Sequence, residues 1–162
     1  MTHSITCTRC HRAFDALPAD PAHRVPGLAG RGYCPGHPVL AISLPWTDAL
    51  TQNQLRRMHH HVEAKAKNAL SDPARWAIRA ARLQLIEHPV QVVLHWRPAD
   101  RRRRDPDGIA PTLKVALDAL VREGVLAEDN QTCVPFSGQH IHPARTGMPS
   151  AMWVEITSME EE

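Results

Sequence analysis

The chain has 162 residues, with 19 Lys+Arg against 17 Asp+Glu, 43% hydrophobic residues and 22% charged ones. That length and apolar content support one packed domain with a small appendage and exclude wholesale disorder. No apolar run nears the ~18 residues of a membrane span, and MTHSITCTRCHRAF is polar where an export signal would be apolar. The expectation is a cytoplasmic protein with no membrane partner.

Residues 1–40 hold five of the 14 prolines and four of the eight glycines, and they lack apolar periodicity. Such a segment needs a staple rather than a core. Residues 41–162 form the second unit. Val39 to Leu44 is an apolar run that predicts a strand, closed by Pro45-Trp46 and a loop to Asn53. Gln54 to Leu70 favours helix. Ser71-Asp72-Pro73 predicts a break, with Asp72 as cap and Pro73 at the first position of a second helix reaching about Ile86.

Val90 to Trp96 is β-branched and apolar and predicts a strand. After a charged loop, Leu113, Ala116, Leu117 and Leu120 repeat at the spacing of one helix face, up to Arg122, and Gly124 supplies the stop. Glu128-Asp129-Asn130 predicts a turn, Thr132 to Phe136 a strand, residues 137–150 a loop, and Ala151 to Thr157 a last strand. Strands mixed with helices predict an α+β fold: a small mixed β-sheet with helices packed on one face, plus a short N-terminal zinc-binding segment.

The net charge of +2 is a cancellation. Residues 56–104 carry twelve basic and four acidic residues, whereas residues 105–162 carry three basic and ten acidic ones. A basic block beside a carboxylate block suits a polyanion-binding surface next to a cation site. At the boundary stand Arg101-Arg102-Arg103-Arg104 and then Asp105-Pro106-Asp107. In extended chain, Asp105 and Asp107 share a side. With Asp129 from the turn after the helix they offer oxygen ligands for Mg²⁺ or Mn²⁺, which could polarise a phosphodiester and activate water. Lys114 lies seven residues past Asp107, about two helical turns. It suits phosphate binding or transition-state charge, although spacing alone favours the plainer reading of an exposed helical lysine beside Asp118. Arg57 and Lys65 extend the positive field.

The segment DRRRRDPDGIAPTLKVALDALVREGVLAEDN resembles the RusA family of Holliday junction resolvases, above all the versions encoded by phages and prophages. The shared pattern is an Arg-rich loop, two aspartates one residue apart, a helix with a lysine, then Gly and an acidic pair. Ile42-Ser43-Leu44-Pro45-Trp46 and Met152 to Thr157 resemble the opening and closing strands, so the likeness spans about residues 41–157. By position, Asp105 and Asp107 match metal-binding aspartates, Asp129 and Glu128 the acidic pair, and Lys114 the catalytic lysine. Gly108 departs from the usual Asn, and the stretch from Asp107 to Lys114 is three residues longer than in the shortest members. The resemblance implies DNA repair and recombination chemistry: a homodimer that binds branched DNA, gripped by residues such as Arg101 to Arg104, and nicks four-way junctions in paired strands with Mg²⁺ or Mn²⁺.

Cys7-x2-Cys10 and Cys34-Pro35-Gly36-His37 are two ligand pairs of the spacing that closes a tetrahedral structural Zn²⁺ site. His11 and His23 are rival fourth ligands, and reduced surface cysteines are the plain alternative. His59-His60-His61 point about 100° apart on a helix and do not form a chelate. A non-catalytic, zinc-containing nucleic-acid-binding protein is the rival reading; it keeps the basic block and the zinc but needs no aspartate cluster. A zinc-supported HNH nuclease ranks below both, for want of a His-Asn-His pattern.

Overall fold

Strand geometry alternates side chains between two faces, and in Val90 to Arg97 both faces carry buried residues. A computed structural model describes residues 3–6, 13–16 and 39–159. Strands β1 (His3–Thr6) and β2 (Ala13–Ala16) pair antiparallel as a separate two-stranded sheet. The main sheet has four strands, β3 (Val39–Leu44), β4 (Val90–Arg97), β5 (Phe136–Ile141) and β6 (Ala151–Ser158). Their order is β3-β6-β4-β5: β6 is antiparallel to both β3 and β4, and β5 is parallel to β4. The fold is therefore α+β with a mixed sheet. Among the described residues, no helix is long and apolar enough to cross a membrane.

The helices are α1 (Gln52–Leu55), α2 (His60–Ala80) and α3 (Ala110–Arg122). One sheet face supplies Ile42, Val92, Leu94, Trp96, Val154 and Ile156 to the core, against Ala74 and Ile78 of α2 and Leu113, Ala116, Leu117 and Leu120 of α3. Helix α3 ends as its sequence predicts, with Gly124 at φ 74.

Four sequence expectations fail, each for a physical reason. There is no break at residues 71–73: α2 runs through Pro73. Proline inside a helix costs about 3 kcal/mol and removes a backbone donor. The buried stripe Ser71, Ala74, Ala77 and Ile78 continues across it and outweighs that cost. The carbonyl of Leu70, three residues before the proline, accepts the Trp46 indole N–H at 3.0 Å. The helix also stops at Ala80 rather than near Ile86, because Arg82 turns to positive φ.

Thr132 to Val134 is not a strand. The Asn130 side-chain oxygen accepts from the backbone N–H groups of Thr132 (2.9 Å) and Cys133 (3.1 Å), which winds a turn instead. The fourth strand is β5, in the stretch expected to be loop. Its FSGQHI sequence lacks alternation because it lies at the sheet edge and is largely exposed.

Candidate active site

The loop leaving β4 carries the arginine run, and its residues are individually committed. Asp100 organises it. Its carboxylate accepts from the Arg102 backbone N–H at 2.9 Å and pairs with Arg102 Nε at 3.1 Å and Arg104 Nη2 at 2.8 Å. The Arg102 backbone N–H and then the Arg104 guanidinium hold the Asp100 carboxyl below its usual range. Arg104 lies over the Trp96 ring, 4.8 Å from its centroid, and donates to the Arg102 carbonyl at 2.9 Å. Arg101 donates to Thr146 Oγ1 at 3.3 Å. Arg103 alone in the run is exposed and makes no hydrogen bond or ion pair among the described residues.

This loop forms one wall of a cleft of about 560 Å³. Arg102, Arg103, Arg104 and Asp105 line that wall, and Asn53 and Gln54 line the facing one. The facing wall is held by a capping box, in which Thr51 and Gln54 bond each other's backbone N–H. Asp105 is the cap of a 3₁₀ turn over Pro106–Ile109, and its side chain makes no capping bond. Asp107 sits in the first turn. Both carboxylates are exposed, and neither has a side-chain partner among the described residues. At Gly108 a Cβ would meet nothing within 4 Å, so space does not explain the missing side chain.

Lys114 and Asp129 form a second group. The Lys114 ammonium bonds Asp118 Oδ1 at 2.7 Å and the Asp129 carboxylate. Asp118 first, then Asp129, raises the Lys114 pKa, and Lys114 holds the Asp129 carboxyl low. The plain reading of Lys114, an exposed helical lysine beside Asp118, is met, and the pairing with Asp129 is an addition to it. Glu128 accepts from the Asn130 amide. Lys114 and Asp118 line another cleft of about 560 Å³, between α2 and α3, together with Lys67 and Arg122. Arg57 and Lys65 are exposed and line neither cleft.

The aspartates are therefore not gathered around one point. Among the described residues no three His, Cys, Asp or Glu side chains are arranged to hold a metal ion as they stand. The donor chemistry of Asp105 and Asp107 fits a hard divalent cation, since both are unpartnered oxygen donors close in sequence. Asp129 instead has an ammonium as its counter-charge. Cys7, Cys10, Cys34 and His37 lie outside the described residues. No family model matches the chain, and no curated protein matches it significantly.

Sequence reasoning missed two features. Asp100 organises the arginine loop, and its spacing of two and four residues before Arg102 and Arg104 was the available signal. The other lies on the sheet face away from the helices, where His95, Arg97, Trp153 and Glu155 are all buried. Alternation along β4 and β6 places them there, and only the apolar half of those strands stood out in the sequence.

Proposed function

We propose that the chain is a metal-dependent, structure-selective endodeoxyribonuclease of the RusA kind, cutting four-way DNA junctions as a cytoplasmic homodimer. The observation that carries this reading is the shared cleft: the arginine loop and Asp105 line it together, and Asp107 follows two residues later in the 3₁₀ turn that Asp105 caps. Arg103 offers a free guanidinium to a phosphate, while Asp100 keeps its neighbours in shape. Asp105 and Asp107 would hold Mg²⁺ or Mn²⁺, which supplies Lewis-acid polarisation of the phosphodiester and an activated water. Asp129, with Glu128 beside it, would add a third carboxylate if Lys114 turned from the Asp129 carboxylate to a DNA phosphate. By their sequence spacing, Cys7, Cys10, Cys34 and His37 would close a structural zinc site.

One observation favours a second reading. Asp129 is paired with Lys114 rather than gathered with Asp105 and Asp107, which is compatible with a zinc-containing nucleic-acid-binding protein that cuts nothing. Incubation with a labelled mobile four-way junction and Mg²⁺ separates the two. The nuclease reading expects paired nicks from wild type, and junction binding with at least a hundredfold less nicking from Asp107→Asn. Junction binding without any metal-dependent nicking by wild type would leave only the second reading.

A further inference from the structure

The buried polar row on the sheet face opposite the helices has no part in the proposed nuclease site. Its centre is a histidine cluster. His140 lies in β5 and His142 just past its end, where its backbone N–H still bonds the Trp96 carbonyl at 2.7 Å, so the extended pairing puts both on one side. His95 is the register partner of His140 on β4. The His95 Nδ1 and His142 Nε2 atoms are 2.9 Å apart, and the His140 and His142 ring centroids are 4.3 Å apart. The Trp153 ring stacks on His95 at 5.1 Å and on His142 at 5.0 Å, which limits how the imidazoles can turn.

We infer that His95, His140 and His142 form a second metal site, for an imidazole-preferring divalent ion of the Zn²⁺ class, with one coordination position left open. A His-x-His pair on one strand and a third histidine from its neighbour present three nitrogens from a rigid sheet. As they stand, two of the rings share a hydrogen bond rather than an ion. Ligand nitrogens at 2.0–2.1 Å on a tetrahedral ion lie about 3.3 Å apart. The 2.9 Å contact must therefore open by only a few tenths of an ångström, with His140 turning in to join. His140 is exposed, so that motion meets little packing and also opens an entry path.

The surroundings suit such an ion. The Glu155 carboxylate lies 3.5 Å from His95 Nε2, on the ring edge away from His142. That spacing resembles an ion pair, but burial keeps His95 neutral, with its pKa lowered to about 3. If that gap closed to a hydrogen bond, the proton would sit on Nε2 and Nδ1 would be the ligand, as in carboxylate–histidine–metal arrangements. His142 is likewise held neutral, near 4, by burial first and then by His140, Arg97 and Arg145. For His142 Nε2 to bind the ion, the single ring proton of the neutral imidazole has to sit on Nδ1, which exchange through solvent allows. Arg97, on the same face as His95, is buried with Nε and Nη2 lacking hydrogen bonds. An unpaired buried guanidinium is costly, and an anion or hydroxide at the open metal position would supply the missing partner.

Cobalt(II) titration of the metal-stripped full chain tests the site and separates it from the cysteine segment. Thiolate ligands give intense near-ultraviolet charge-transfer bands, whereas a nitrogen-only site gives visible d–d bands alone. The expectation is a d–d component that disappears in His140→Ala and in His142→Ala, with one equivalent less zinc bound and the thiolate bands intact. Histidine-ring NMR of the wild type should show the His95 and His142 resonances moving on zinc addition, a readout independent of any variant's folding. Identical cobalt spectra and zinc content in wild type and both variants, with unmoved ring resonances, would overturn the inference. Junction nicking is not involved, so the nuclease reading stands or falls separately.

Discussion

The two faces of β4 solve burial in opposite ways. Val92, Leu94 and Trp96 point under α2 and α3 and pack as an apolar core. His95 and Arg97 alternate with them on the other face and are just as inaccessible, yet carry ionisable groups. On the first face nearly any apolar group of the right volume would serve. On the second, each nitrogen needs a partner or a shifted pKa. The first face holds the chain together, and the second makes its stability depend on solution conditions.

The comparison breaks first by truncation. Leu94→Ala on the core face should cost about 2–5 kcal/mol, read from the urea midpoint, because the surrounding sheet and helices cannot collapse into the cavity. If the loss were under about 1 kcal/mol, the core would be far looser than the burial of Leu94 indicates.

Acid should then reveal the other face. The ordinary histidine pKa is 6.5, whereas folding holds His95 near 3 and His142 near 4. Below pH 6.5 the unfolded chain takes up protons that the folded chain refuses, so stability falls as pH drops toward those lower values. Each group contributes a slope of about 1.4 kcal/mol per pH unit in that window. Urea midpoints in chelator between pH 7 and 4 should show it, and His142→Ala should remove about half. A flat profile would mean that these imidazoles are not buried neutral.

The smallest effects belong to the loop that β4 feeds. Arg104 is anchored on Trp96, so Arg104→Ala should destabilise the fold by about 0.5–1 kcal/mol. Arg103 is unanchored. Arg103→Ala should leave stability unchanged and lower the salt dependence of DNA binding by roughly one phosphate contact. Equal effects of the two substitutions on stability would show that Asp100 does not organise the loop.

The apolar runs at Val39, Val90 and Ala151, and the Leu113/Leu117/Leu120 repeat, were legible because each buries a continuous face. Pro73 misled because its local preference was weighed without the stripe beneath α2, which only the tertiary fold supplies. The β5 strand was hidden because an edge strand buries little and FSGQHI need not alternate. At the candidate site, sequence order brought Arg103 and Asp105 to one wall. Nothing local in the sequence could settle whether Lys114 faces Asp118, Asp129 or a ligand. His95, His140 and His142 were each visible as residues, but their meeting depends on a parallel register that spans 45 positions.

Strand β6 lies between β3 and β4, although it follows both in the chain. During synthesis, β3 therefore has no neighbour until residues 151–158 have left the ribosome. Its apolar residues, and the edge of β4 that faces β6, wait unpaired until then. Their pairings with β6 are long-range, which makes the last step slow. A half-made chain presents sticky, unmatched strands to other nascent chains. Low growth temperature or abundant chaperone should raise soluble yield more than any surface substitution.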